Sequence, residues 1–329
     1  QQYVAKISGA QLPISKNLNV AGPKIFVGYN AVVGKIIGTR KIPADYEGFT
    51  YRCVGKNLLI YGGSGRGTMY GVFRFLEQQL GVRWYTPEIT KVPQQSTWSF
   101  DAKLKHSEQP AIGYRYSNYY VVSKSGTWSA HNEENMKWVP VENEYGNLEA
   151  YWNCHTMGQL IPSDEFFKDH SEYFALRDGK RINNGLLCLS NPKVLALCKE
   201  RLLQKMREQP NFIIYSLSQN DNTLFCECPQ CKALEEQYGG HSGLILWFVN
   251  QVADTVKTLF PQKYVGTFAY QYSRKPPVGI VPRSNVVIRL CNIECCFAHP
   301  LTAGCPQNQS FMDDMTGWSQ IAPHLFIWD

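Results

Sequence analysis

The chain has 329 residues, 44% of them hydrophobic and 13% aromatic, with 33 Lys and Arg against 27 Asp and Glu. That is enough apolar material for one large domain and a smaller one, and it excludes a disordered or fibrous protein. The net charge of +6 is spread along the chain without the basic run that nucleic-acid binding requires, and no stretch of about eighteen apolar residues is available to span a membrane.

Residues 1–105 read as a small α/β domain. The chain starts QQYVAKISG without an initiator Met, as a trimmed export precursor would, so a periplasmic or cell-surface location is expected. Lys24–Val27 is a short strand, and Phe49–Val54 pairs with Asn57–Tyr61 in a hairpin across Gly55-Lys56. Met69, Val72, Phe73, Leu76 and Leu80 recur at helical spacing, with Gly81 placed to end the helix. The glycines from Gly62 to Gly71 fit neither the dinucleotide fingerprint nor the phosphate-binding P-loop, so they read as a tight strand-to-helix turn.

From residue 106 the rhythm changes to strand, polar strand end, helix. Expected strands are Ile112–Tyr120, a segment within Tyr151–Leu160, Leu186–Leu189, Phe212–Leu217, Tyr264–Tyr272, Asn285–Cys291 and His324–Trp328. Helices are expected over Ser163–Phe174, from Asn191-Pro192 as N-cap and first residue, over Ser242–Leu259, and over Phe311–Ile321. Seven such strands imply parallel βα units, and the span of 106–329 approaches the roughly 250 residues of a (β/α)8 barrel. The expected fold is thus an α/β chain with a TIM-type barrel whose last unit lies outside this sequence.

In that architecture the C-terminal strand ends share one mouth. Arg115, His155, Asn220, Asp221, Asn292, Glu294 and Asp329 would meet there, with Tyr272 and Trp328 as aromatic platforms for a sugar ring. Two carboxylates astride one bond are what glycoside hydrolysis requires, one as acid and one as nucleophile or base. Asp221, directly after an apolar strand, suits the acid, and Glu294 or Asp329 the second carboxylate. Arg115, His155, Asn220 and Asn292 would then bind the sugar. Taken alone, Asp221 also reads as a turn carboxylate and His155 as a satisfied core histidine.

Eleven cysteines is an odd number, so at least one is unpaired within the chain. Cys226, Cys228 and Cys231 are spaced to hold a soft metal if Cys295, Cys296 or His241 supplies a fourth ligand; a disulfide within the loop or free thiols are the alternatives. No cofactor is required by the chemistry, and a structural zinc is the one metal the sequence suggests.

The segments HTMGQLIP, EYFALRDGKR, LLCLSNP, SLSQNDNTLFCECPQC, FAYQYSRKPP, VVIRLCNIECCFAHPL and GWSQIAPHLFIWD together resemble the domain of unknown function 4838 family of exported proteins from polysaccharide-degrading bacteria. The front segment, LLIYGGSGRGTMYGVFRFLEQQLGVRWYTPE, is similar to the accessory α/β domain that precedes the barrel in α-glucuronidases and β-hexosaminidases. The resemblance implies a glycosidase-like barrel. It also implies an acid at Asp221, where hexosaminidases carry an Asp-Glu pair and this chain has Asn220-Asp221. The acetamido-steering Asp of those enzymes therefore has no counterpart here. Arg115 resembles their sugar-binding Arg, and Glu294 and Asp329 stand where α-glucuronidases take carboxylates from later strands. The expected activity is hydrolysis of a uronic-acid or hexosamine glycoside. A carbohydrate-binding protein without turnover on the same scaffold is the rival.

Overall fold

The computed structural model describes residues 1–17, 20–38, 47–63, 66–137, 149–152 and 154–328. Contacts divide the chain into two compact units, one holding the described residues up to 137 and the other those from 149. The expected boundary at 105/106 thus differs from this division, in which residues 106–137 group with the first unit.

In the first unit, β1 (Ile25–Val27) lies parallel to β3 (Asn57–Gly62), and β3 is antiparallel to β2 (Phe49–Val54). The turn at Gly55 has φ 58°, a left-handed conformation that glycine adopts without strain. A fourth strand, β4 (Lys105–Glu108), closes the sheet against β2. Helix α1 (Gly67–Leu80) buries Phe73, Leu76 and Leu80 and ends at Gly81 in the left-handed region, as the spacing predicts. The glycines before it serve close packing. A Cβ on Gly67 would stand 2.4 Å from the Gly48 carbonyl oxygen, and one on Gly62 2.4 Å from the Gly67 carbonyl carbon.

The expected strand at Ile112–Tyr120 is not formed. The backbone of Arg115 is satisfied by two consecutive residues: Arg115 N donates to Asn135 Oδ1, and the amides of Asn135 and Met136 both donate to the Arg115 carbonyl.

The second unit is an α/β fold on a parallel sheet. Its strands β5 (Glu149–Trp152), β6 (Phe212–Ser216), β7 (Tyr264–Ala269), β8 (Val286–Cys291) and β9 (His324–Trp328) pair in chain order, each parallel to the next. Because β5 pairs directly with β6, the expected strand at Leu186–Leu189 is absent from the sheet. That segment makes one isolated bridge, Phe174 to Leu187.

Among the described residues, three long helices, one shorter one and two single-turn helices, Met157–Leu160 and Ser163–Phe166, accompany the strands. Helix α2 (Pro192–Glu208) is capped by Asn191, whose side chain accepts from Lys193 N at 2.9 Å. Helix α3 (Pro229–Tyr238) is followed by α4 (His241–Leu259), which presses Val249, Val252, Ala253 and Val256 into the core. Helix α5 (Pro306–Ile321) begins earlier than the apolar spacing suggests because Pro306 suits its first position. The helix expected at Ser163–Phe174 shortens to Ser163–Phe166 plus a 3-10 turn at Ser171–Tyr173.

Strand β8 is buried at every position, the pattern of a parallel strand covered on both faces. Arg289, at its centre, is fully buried, and its guanidinium carbon lies 5.6, 5.9, 5.1 and 3.9 Å from the rings of Tyr151, Phe268, Phe326 and Trp328. Tyr151 and Phe326 belong to β5 and β9, four strand spacings apart, or about 19 Å in a flat sheet. Their ring centroids are nonetheless 6.1 Å apart. The sheet is therefore strongly curled, with these rings inside the curl.

Candidate functional site

Parallel strands present all their C-terminal ends at one edge, where ligand sites in α/β folds are built. At that edge the loop after β5 is laced to the loop after β6. Thr156 Oγ1 donates to the Ser216 carbonyl at 2.8 Å, Met157 N to the Ser218 carbonyl at 3.0 Å, and Gly158 N to Asn220 Oδ1 at 2.8 Å. The next loop is tied in by Gln219 Nε2, which donates to Ser273 Oγ at 2.7 Å.

This lacing fixes His155. Its Nδ1 lies 2.8 Å from the Gln219 carbonyl, which can only accept, so Nδ1 carries the proton. Nε2 then points at Asp221, 4.0 Å from Oδ2. Cys154 and His155 have φ of 78° and 50°, two consecutive non-glycine residues in the left-handed region, where each costs of order 1 kcal/mol or more. A hydrogen bond with the Cys154 side chain raises the His155 pKa above its ordinary value. Burial opposes this, while the Gln219 carbonyl and the Asp221 charge add to it.

Asp221 follows β6 with its side chain 59% exposed. Its Oδ1 accepts from the Tyr270 phenol at 2.9 Å, and Gln271 Nε2 donates to that same phenol oxygen at 3.0 Å. Burial, and next the hydrogen bond to Asp221, hold the Tyr270 phenol far above the usual tyrosine range. The Glu294 charge adds a smaller push in the same direction. Glu294 Oε2 is held by Arg274 at 3.1 Å, and Arg274 is in turn bound to Asp314 at 2.7 Å. Phe268, Tyr270 and Cys291 form a small apolar cluster with Cys154 and Trp328 packed on it, and His155 stands edge-on to Phe268 at 5.5 Å.

The structure thus gathers His155, Asp221 and Trp328 around Tyr270 and Phe268, with Glu294 within electrostatic reach. Asn220 is adjacent but its amide oxygen is committed to the Gly158 backbone. Asn292 is buried, with its amide donating to the Trp328 carbonyl at 3.3 Å. Asp329 lies outside the described residues.

Two expected sugar-binding residues have other partners. Arg115 belongs to the first unit, where its guanidinium donates to Glu47 Oε2 at 2.8 Å and to the Glu133 and Ile112 carbonyls. Tyr272 packs on Phe225 and His241, at 5.3 and 5.2 Å between ring centroids. The 3-10 turn at Gln271–Ser273 breaks strand alternation, which is why Tyr270, and not Tyr272, meets Asp221.

Beside this edge Cys226, Cys228 and Cys231 are joined by Cys188 in a buried group whose sulfurs could hold a metal ion. The fourth member differs from those expected. His241 is bonded to Glu235 at 2.6 Å, and Cys296 approaches His299 and Cys305 in a more exposed group.

The family model described as Domain of unknown function (DUF4838) matches residues 84–329. The chain belongs to the DUF4838 family. No curated protein matches the sequence of this DUF4838 member. Among solved structures it is similar to a family GH115 4-O-methyl-α-glucuronidase with specificity for decorated arabinogalactans. The identity is 12% and the TM-score 0.54, over 99% of this chain and 50% of the glucuronidase. It therefore spans about half the length of that enzyme. A β-N-acetylhexosaminidase from Bacteroides fragilis is similar at 10% identity and a TM-score of 0.42, over 92% of this chain and 69% of that one. A glycoside hydrolase family 20 β-N-acetylglucosaminidase follows at 10% identity and 0.45, over 92% and 65%. The fold of this DUF4838 chain is thus similar to that of the GH115 enzyme.

Proposed function

We propose that this protein is a glycoside hydrolase on a (β/α) barrel, with Asp221 as the general acid and Glu294 as the second carboxylate. The curled parallel sheet and its ordered strand pairing support the barrel. The observation that carries the catalytic reading is the Asp221 carboxylate itself. It is exposed to an incoming ligand, yet oriented by the Tyr270 phenol and faced by His155 Nε2.

Asp221 would protonate the leaving oxygen, Tyr270 would keep its carboxyl aimed, and the partly exposed Trp328 ring, backed by the buried Phe268, would receive the sugar face. Arg274 orients Glu294 for its part as nucleophile or base. Asn220 holds the loop by its side-chain oxygen, so it positions Asp221. Asp329 is retained as a further candidate carboxylate. The glucuronidase neighbour puts glycosides of uronic acids first in order of trial, and hexosaminides second.

The test is hydrolysis of a panel of uronic-acid and hexosamine glycosides by the wild-type chain and by Asp221→Asn. The expected result is turnover that falls about 100-fold or more in Asp221→Asn with ligand affinity retained. Sugar binding that Asp221→Asn leaves intact, with no glycoside cleaved by either protein, would establish a carbohydrate-binding function instead.

A further inference from the structure

Four cysteine sulfurs from two segments of the chain meet in the second unit. Cys188 follows the Phe174–Leu187 bridge, Cys226 lies in the loop after β6, Cys228 is the N-cap of α3 and Cys231 is in its first turn. All four are buried, and all four sulfurs lie within 4.8 Å of one another. The Cys188 sulfur is 3.7 Å from that of Cys228 and 4.0 Å from that of Cys231.

Those separations are too long for a disulfide, whose sulfurs stand about 2.05 Å apart. They match the edge of a metal tetrathiolate: at about 2.3 Å from metal to sulfur, tetrahedral sulfurs are about 3.8 Å apart. The surroundings supply donors to charged sulfur. Leu176 N donates to Cys226 Sγ at 3.3 Å, and Ser190 Oγ lies 3.2 Å from Cys231 Sγ and 3.4 Å from Cys228 Sγ. The N-terminus of α3 adds the favourable end of a helix dipole to two of the four thiolates.

We propose that Cys188, Cys226, Cys228 and Cys231 bind one zinc ion in a closed, structural site. Four protein ligands leave no open position, so the ion takes no part in hydrolysis. It clips the segment around Leu176–Cys188 to the loop that begins at Asp221. Two backbone bonds follow the same path, Leu186 N to the Leu224 carbonyl and Glu227 N to the Leu176 carbonyl. The ion thereby anchors the downstream end of the loop that presents Asp221.

The experiment is elemental analysis of the whole chain purified without chelator, beside Cys188→Ser and a Cys53→Ser control from the first unit. About one equivalent of zinc is expected in the wild type and in Cys53→Ser, falling at least fivefold in Cys188→Ser. If Cys188→Ser does not fold, the wild type decides alone: cobalt exchanged into it should show the charge-transfer and ligand-field bands of a tetrahedral thiolate site. Full zinc in a folded Cys188→Ser would overturn the proposal. So would wild type that neither contains zinc nor takes it up under reducing conditions, or disulfides mapped by peptide mass to Cys188, Cys226, Cys228 or Cys231. One equivalent of iron would overturn the choice of zinc, since a tetrahedral four-sulfur site accepts either metal. None of these readouts depends on glycoside cleavage.

Discussion

Gly266, in the middle of β7, tests the curl of the sheet. A Cβ there would lie 2.5 Å from the Tyr151 phenol oxygen, 3.1 Å from Tyr151 Cζ and 3.0 Å from Ile214 Cγ2. Tyr151 and Ile214 are both fully buried, so neither can swing into solvent. Overpacking of this kind costs typically 1–3 kcal/mol, and the contact below 3.0 Å puts Gly266→Ala towards the upper end, about 2–3 kcal/mol. Replacing glycine by alanine restores about 0.5–1 kcal/mol by restricting the unfolded chain, which leaves a net loss of about 2 kcal/mol.

Tyr151→Phe deletes only the atom in severe contact. In that background Gly266→Ala should cost about 1 kcal/mol less, because the Ile214 contact remains. Urea unfolding of the four proteins in the cycle measures this directly. With a slope of about 3 kcal/mol per molar urea, the midpoint of Gly266→Ala should fall by about 0.7 M and recover by about 0.3 M in the double variant. Costs that add to within about 0.3 kcal/mol would mean that Tyr151 does not lean over Gly266, and the curled packing of β5 against β7 would be wrong.

Tyr270→Phe removes a charge-assisted hydrogen bond worth about 1.5–3 kcal/mol when buried; with Asp221 mostly exposed, a loss of turnover of about tenfold is expected in the glycoside assay, and an unchanged rate would remove Tyr270 from the site. The raised pKa of His155 contributes stability that is fully present below its unfolded value near 6.5 and is lost as pH rises through the higher folded value. His155→Gln should therefore flatten the pH dependence of thermal unfolding above pH 6.5, and an identical profile would show that the imidazole is not stabilised as a cation. Gly67→Ala should cost about 3 kcal/mol because the Gly48 carbonyl is backbone and cannot move aside; calorimetry with no change in midpoint would refute the close approach. Asn191→Ala should lose about 1 kcal/mol, read as a lower urea midpoint, through the cap of α2.

What the sequence discloses here is local. The β2–β3 turn, helix α1 with Gly81, the Asn191-Pro192 helix start, the largely buried strands β6 to β8 and the apolar strand β9 each carry their own signal in a window of a few residues. The segments that mislead, Ile112–Tyr120 and Leu186–Leu189, have the apolar content of strands but find no ladder partners, and pairing is a property of the whole fold.

The site divides the same way. Asp221 and His155 are legible because each follows a strong strand. Tyr270 is hidden by the turn geometry at Gln271–Ser273, whereas Arg115, expected at the site, is bonded to Glu47. The spacing of Cys226, Cys228 and Cys231 announces three members of a cluster, whereas Cys188 is joined to them only by the fold.

The left-handed backbone at Cys154 and His155 makes the direction of the imidazole a matter of main-chain torsion. Glycine at position 154 would relax that torsion and add to the durability of the fold, since glycine takes positive φ at no steric cost. It would also unlock the ring from its heading towards Asp221. Sturdiness and aim are set against each other in one peptide unit, and a variant selected only for heat resistance would drift towards the blunter tool.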